Sequence, residues 1–348
     1  MRNVILGIAG ALLLSACSGS EDFGRANEAR SDPEGSLGSA SSALAAVPDG
    51  KVTAPGGRRV DPVCVFEVPD GAELDSTGDV ISNGRVVSHH EPCTPAQMGN
   101  VNGGEANQRD KVIAPRIGHA WVEYSWAWAG NINGQAFFDG LDADWAVPAA
   151  PGTSITGTDP HGIPVSNLLL YYFPSFESST GTEIVQPVLQ WGSNGSFGGL
   201  YWTIAAWYCG PSGCAHSPAY RVYPGDVIHG TITATVWAKF GYFVQISDAA
   251  RNAYSSNTFW VDGTLDRFNN VQGGVMEVYN VAQCLNYPTD NALLFYDIVA
   301  RQAGPLWNSF NVVHPAWSNY VNTSLSPQCN YHAFTGANAY WDYTVLYY

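Results

Sequence analysis

From residue 117 onward the chain keeps breaking into short runs of Val, Thr, Tyr and Trp, separated by Gly, Pro, Asn and Asp. The clearest run is Ile228-His229-Gly230-Thr231-Ile232-Thr233-Ala234-Thr235-Val236-Trp237. Successive side chains of a strand point to opposite faces. Ile228, Ile232, Ala234 and Val236 therefore line one face, and His229, Thr231, Thr233 and Thr235 the other. One apolar and one polar face is the pattern of a sheet resting on a core. Tyr242 to Ile246 and Thr258 to Val261 read likewise, with Asp262-Gly263 as a turn. Tyr343 to Tyr347 reads as the last strand. Asn291 to Arg301 fits a short helix or a strand, and periodicity does not choose. About ten or more strands in some 230 residues predict an all-β, antiparallel β-sandwich with a real core. No fixed-period repeat is visible.

The first seventeen residues are not expected to belong to that fold. Arg2 supplies a positive start, Val4 to Leu14 an apolar stretch, and Leu14-Ser15-Ala16-Cys17 a lipobox. The stretch is too short to span a bilayer and reads as a lipoprotein signal peptide. Cys17 is the expected lipidation site, with Ser18 favouring the outer membrane. The expected location is the cell envelope, outer membrane or cell surface, with membrane contact through the lipid alone. Residues 18–50 are Ser, Gly, Ala, Glu and Asp with almost no aromatics, a composition that forms a flexible tether. Residues 51–116 form an N-terminal extension, either a small subdomain or a pro-segment over the core. Within it Val63-Cys64-Val65-Phe66-Glu67-Val68 looks strand-like.

Setting Cys17 aside leaves six cysteines, an even number in an exported chain, and predicts three disulfides. Fifteen pairings are possible. The local one joins Cys64 to Cys93, Cys209 to Cys214 and Cys284 to Cys329. Cys209, Cys214 and His216 can alternatively begin a zinc site, but it lacks a fourth ligand. The chain carries a formal net charge of −15. Residues 117–348 hold 15 Asp or Glu against five Lys or Arg. Such a body is a poor partner for nucleic acid and for anionic membranes.

Two stretches carry the chemistry. In Val185-Gln186-Pro187-Val188-Leu189-Gln190-Trp191-Gly192, Val188 and Gln190 share one face, and Leu189 and Trp191 the other. In Gly274-Val275-Met276-Glu277-Val278-Tyr279, Val275, Glu277 and Tyr279 point together. A carboxylate and an amide on half-buried strands are costly unless partnered. Facing each other, they can hold a water between them. The alternative role is a hydrogen bond that merely satisfies both groups.

These residues resemble the glutamic peptidases, or eqolisins, over roughly 117–348. Leu189-Gln190-Trp191-Gly192 resembles the family's glutamine strand, and Met276-Glu277-Val278-Tyr279 its glutamate strand. His119-Ala120-Trp121-Val122-Glu123-Tyr124, Asp144-Trp145-Ala146-Val147-Pro148 and Leu170-Tyr171-Tyr172-Phe173-Pro174-Ser175-Phe176-Glu177 resemble flanking segments in order and spacing. The chain departs from the fungal members at Tyr201 to Tyr208, which carries no acidic residue. The resemblance implies a concanavalin A-like, jelly-roll sandwich whose concave face carries a cleft. It also implies endopeptidase activity on a polypeptide substrate, without metal or organic cofactor. Glu277 is then the general base and Gln190 the oxyanion donor. Tyr171, Phe173, Glu177 and Trp207 are the candidate cleft residues.

Burial of Glu277 should raise its pKa, and an acidic pH optimum is expected. A working site needs the Gln190 amide and Glu277 carboxylate to converge on one open cleft, about one water apart. The chain is expected to act as a monomer. The competing reading is a non-catalytic concanavalin-like lipoprotein that binds glycans or polymers through aromatics. A third is a purely structural envelope protein. Most tryptophans are expected to fill the core. Asp139, Asp142 and Asp144 lack EF-hand spacing and read as surface carboxylates. His89-His90-Glu91 lacks a zincin's second histidine, and no Gly-Lys-Ser/Thr follows the glycine-rich loop 192–199.

Overall fold

The computed structural model describes residues 50–98, 120–130, 137–235, 241–260, 268–303 and 310–348. Cys17, the tether, Arg109, His119, Val236, Trp237 and the Asp262-Gly263 turn lie outside them.

The fold is an all-β sandwich. The first sheet runs, edge to edge, through Ser318–Val321, Ala120–Trp128, Asn270–Tyr279, Leu169–Glu177, Ile184–Ser193, Gly198–Gly210, Gly213–His216 and Val65–Glu67. Tyr220–Val222 also pairs with Gly198–Gly210. The second sheet runs through His332–Ala337, Asp342–Tyr347, Ala292–Ala303, Phe138–Ala146, Val227–Thr235, Gly241–Asp248, Ala253–Trp260, Glu73–Leu74, Asp79–Ser82 and Arg85–His89. Pairing is antiparallel apart from Val65–Glu67 on Gly213–His216 and Glu73–Leu74 on Ala253–Trp260. The ambiguous segment 291–301 is a strand. Its backbone groups pair with Phe138–Ala146, Asp342–Tyr347 and Phe310–Val313.

The extension enters both sheets. Val65–Glu67 extends the first, and 73–89 extend the second. The disulfides are Cys64–Cys93, Cys209–Cys214 and Cys284–Cys329, with Cα separations of 5.9, 4.1 and 5.4 Å. The second closes the Gly198–Gly210/Gly213–His216 hairpin. Its thiols are therefore unavailable to zinc.

The core lies between the sheets. Leu189, Tyr172, Trp202 and Met276 of the first meet Leu141, Trp145, Ile232 and Val244 of the second. Full burial of a side chain such as Leu189 or Val244 contributes about 1.5–3 kcal/mol. The first sheet also buries its other face. Along Leu169–Glu177, Leu170, Tyr172 and Phe176 face the core, while Leu169, Tyr171 and Phe173 join a second apolar cluster. That cluster is roofed partly by Ala54 of the extension. Burial on both faces explains the near-continuous apolar run Leu168 to Phe173. Of the candidate surface carboxylates, Asp139 is buried, with its pKa raised by that burial. Asp142 pairs with Arg301, and Asp144 with His229.

Candidate active site

Tyr171 pairs with Gln190 on one neighbouring strand and with Glu277 on the other. Directly opposed residues of antiparallel strands share a face, so the three form one row on the face turned away from the second sheet. Trp121 extends the row beyond Glu277, and Thr203 extends it beyond Gln190. Two interstrand spacings separate the Gln190 and Glu277 backbones, roughly 10 Å. Val275 and Tyr279 share the Glu277 cluster, as the alternation predicts.

Glu277 is fully buried. Its Oε2 accepts from the Gly56 N–H at 2.7 Å and Trp121 Nε1–H at 3.0 Å. Its Oε1 accepts from the Gly57 N–H at 2.9 Å and from the Tyr279 hydroxyl. Burial pushes its pKa up to about 7, and the four donors oppose the shift without cancelling it. Hydrogen bonds to a charged group contribute about 1.5–3 kcal/mol each, so the set holds the carboxylate against its desolvation.

Gln190 is held by the following loop. Its Nε2 donates to the Gly192 carbonyl at 2.8 Å and to the Phe197 carbonyl at 3.3 Å. Carbonyls only accept, which fixes the amide orientation. Asn194 Nδ2 donates to Gln190 Oε1 at 3.2 Å. Gly198, at φ +99°, could not carry a Cβ: it would fall 2.5 Å from Gln190 Nε2. The glycine-rich loop thus wraps the glutamine amide.

The cleft is not open. Val52–Ala54 and Arg58–Val60 form a hairpin over it. Gly56 and Gly57 take φ of +88° and +75°, a region where only glycine is unstrained. Consecutive backbone N–H groups in such a turn make an anion cradle, and here the anion is Glu277. Tyr171 Oη donates to the Thr53 carbonyl at 2.6 Å, and the Thr53 N–H donates to the Asn194 carbonyl at 3.0 Å. An isolated two-stranded hairpin is marginal in water, so these contacts hold it in place. The expected convergence on one open cleft, a water apart, is therefore not what is observed. Tyr171 stands between the pair, and backbone from the extension fills the space above them.

The other candidates share this face. Phe173 packs edge-on against Trp121, with ring centroids 6.0 Å apart. Trp207 lies beneath Phe197 and His216, at 5.8 and 4.7 Å. Both are buried floor rather than open lining. Trp145, Trp191 and Trp202 fill the inter-sheet core, but Trp121 and Trp207 lie in the outer-face cluster and Trp128 is exposed, so the core takes fewer of the tryptophans than expected. Glu177 sits farther along the face, its pKa raised by burial to about 7.

Sequence reasoning missed the donors Trp121 and Tyr279, the Gly56-Gly57 cradle and two glutamines. Gln186 is buried, and neither of its amide atoms has a hydrogen-bond partner among the described residues. Its i, i+4 relation to Gln190 on one strand put it on the same face, which was the available signal. Gln272 donates to Glu177 Oε2 at 3.2 Å. A bulge between Gln272 and Gly274 shifts it onto this face, and alternation alone does not anticipate that.

No protein-family model matches the chain, and no curated protein matches it. Among solved structures it is similar to a scytalidoglutamic peptidase bound to a peptide-based transition-state analogue, with TM-score 0.43 and 16% identity. It is also similar to SCP-B, an eqolisin-family peptidase complexed with the tripeptide Ala-Ile-His, with TM-score 0.42 and 16% identity. Each alignment covers 67% of this chain and 100% of the other.

Proposed function

We propose that this chain is a glutamic-type endopeptidase in a covered form, its cleft occupied by its own 52–60 hairpin. The observation that carries the reading is the single cross-strand row Gln190–Tyr171–Glu277, with a fully buried carboxyl raised to about 7 at one end. That value belongs to the covered carboxyl; water that enters as the hairpin leaves relieves its desolvation, and the carboxylate is then placed to take and return a proton. The Leu189-Gln190-Trp191-Gly192 motif supports the same assignment.

With the hairpin displaced, a water takes the place of the two glycine N–H groups beside Glu277. Glu277 removes a proton from it as its oxygen attacks the scissile carbonyl carbon. Gln190 gives up its longer bond, to Phe197, and turns that N–H toward the developing oxyanion. Glu277 then returns the proton to the leaving nitrogen as the C–N bond breaks. Bound as it is, the hairpin is not a substrate. It offers N–H donors to Glu277 and leaves no seat there for an attacking water.

In this reading 117–348 is the catalytic body, and export with anchoring through Cys17 precedes activation. A cut between Val60 and Cys64 would free the hairpin while leaving strand 65–67 and the Cys64–Cys93 bridge in place. The test is hydrolysis of a denatured protein, from about pH 2 to 7, after such a cut. Activity that appears with the cut and is absent in Glu277→Gln supports the reading; no activity in the cut protein sinks it. Cys17→Ser should abolish fatty-acid labelling and leave the folded body unchanged.

One observation favours the glycan-binding alternative. A groove of about 560 Å³ is lined by Asn291, Asn330, His332, Phe334, Tyr347 and Tyr348, away from the Gln190–Glu277 row. Exposed rings beside amides suit stacking on sugars. Retention on polysaccharide that disappears in Phe334→Ala/Tyr347→Ala would support it.

A further inference from the structure

The hairpin does more than cover Glu277. One residue past the glycine cradle, Arg58 sends its side chain into the first sheet and is only 2% exposed. Nη1 donates to the Gly210 carbonyl at 3.0 Å, and Nη2 donates to the Thr182 carbonyl. The charges of Glu177 and Glu183 face it, together with the Tyr208 hydroxyl. Tyr208 donates to Glu183 Oε1 at 2.8 Å, and Gln272 holds Glu177. Every one of these groups belongs to residues 175–275, not to the hairpin.

A buried guanidinium is tolerated only where carboxylates and acceptors compensate it. The converse also holds. Once Arg58 leaves, two carboxylates and two carbonyl acceptors remain in a site shaped for a planar cation. Gln186, buried and without a hydrogen-bond partner among the described residues, lies beside the path between Glu277 and this pocket. A Cβ on Gly56 would come within 3.7 Å of Gln186 Nε2. An unpaired amide on the floor of a cleft is ready to bind a peptide backbone.

We propose that the pocket formed by Glu177, Glu183 and the Thr182 and Gly210 carbonyls is a substrate subsite that reads an arginine side chain, with Arg58 as its in-chain occupant. The proposal rests on the peptidase reading. Two carbonyls arranged for two guanidinium nitrogens favour Arg over Lys, whose ammonium is a point charge. Because Arg58 follows the residues that touch Glu277, the preferred arginine lies on the leaving-group side of the cleaved bond, within two residues of it.

The test uses the full-length chain with Gly56→Val, which displaces the hairpin tip, and with Arg58→Ala as an independent variant that vacates the pocket. Binding is measured by calorimetry for a peptide of residues 50–60 and for the same peptide with citrulline at 58, a neutral isostere. The arginine peptide should bind at least about thirtyfold more tightly, the cost of leaving a buried charged partner unpaired. Glu177→Gln/Glu183→Gln should erase the difference. Cut sites mapped on a denatured protein should be enriched in arginine at one position, and the enrichment should vanish in the same double variant. Equal binding of the two peptides, or hydrolysis without arginine enrichment, overturns the subsite and leaves the peptidase reading intact. Arginine-selective binding with no hydrolysis in any form overturns the peptidase reading, and with it the pocket's role as a substrate subsite.

Discussion

The Gly56 N–H donates to Glu277 Oε2 at 2.7 Å across 221 residues of sequence. That contact joins the extension to the proposed base. It makes the state of residues 52–60 the variable that governs the site, since Gly57, Thr53 and Arg58 all engage the same face of the first sheet.

Gly56→Val should therefore unmask the cleft. A side chain at φ +88° is strained, and its Cβ would meet Ile184 Cγ2 at 3.0 Å. The strain costs roughly 1–3 kcal/mol, enough to compete with a marginal hairpin. Hydrolysis of unfolded protein should rise well above wild type, while the far-UV spectrum keeps its β character. A variant whose hairpin becomes protease-sensitive without any gain in hydrolysis would mark the Gln190–Glu277 row as structural.

In that unmasked background Glu277→Gln should remove activity almost completely, because it deletes the proposed base. Gln190→Ala should lower kcat by roughly a hundredfold or more, as loss of an oxyanion donor does. Chelators and serine or cysteine reagents should have no effect, since the proposed steps use only Glu277 and Gln190. Rates on a denatured protein decide this, and retained activity in Glu277→Gln would refute the mechanism.

Period-two alternation was enough to place Gln190 with Val188, and Glu277 with Val275 and Tyr279, because a strand's geometry is local. It could not show that Tyr171 stands between the two polar residues, since strand order is set by long-range pairing. Nor could it show what covers them. Gly56-Gly57 looks like any turn until its N–H groups are seen to have a carboxylate for a partner. Asn291 to Arg301 illustrates the same limit. Its pattern allows helix or strand, and pairing with three neighbouring strands decides for strand.

The six paired cysteines should give close to zero reactive thiols when the unfolded, unreduced protein is titrated. Reduction should weaken the covered form in particular. Cys64–Cys93 lies just past the hairpin, and Cys64 packs with Val52 and Val60. Cys64→Ser/Cys93→Ser should thus raise basal hydrolysis as well as lower Tm. An unchanged basal rate would separate the bridge from control of the cleft.

Stability should rise as the pH falls from about 9 to 5. Burial raises the carboxyls of Glu277 and Glu177 to about 7 and that of Glu123 to about 9, from an ordinary value of 4.5. Between the ordinary and the raised values, the folded chain holds protons that the unfolded chain has already released. Unfolding free energy therefore falls with rising pH across that window. The effect is complete once the pH is above the folded values, and it flattens below the ordinary carboxylate range. Glu123 contributes over the widest span. It lies in the inter-sheet layer, placed there by a bulge opposite Met276–Glu277; neither carboxyl oxygen makes a hydrogen bond among the described residues, and only the nearby His332 backbone pulls against its shift. Urea midpoints at pH 5 and 8.5 should differ in favour of the lower pH. Glu123→Gln, which is permanently neutral, should shrink that difference and leave the variant at least as stable as wild type at pH 8.5. A midpoint that rises with pH, or a pH dependence untouched by Glu123→Gln, would show that these buried carboxyls do not set the pH dependence of stability.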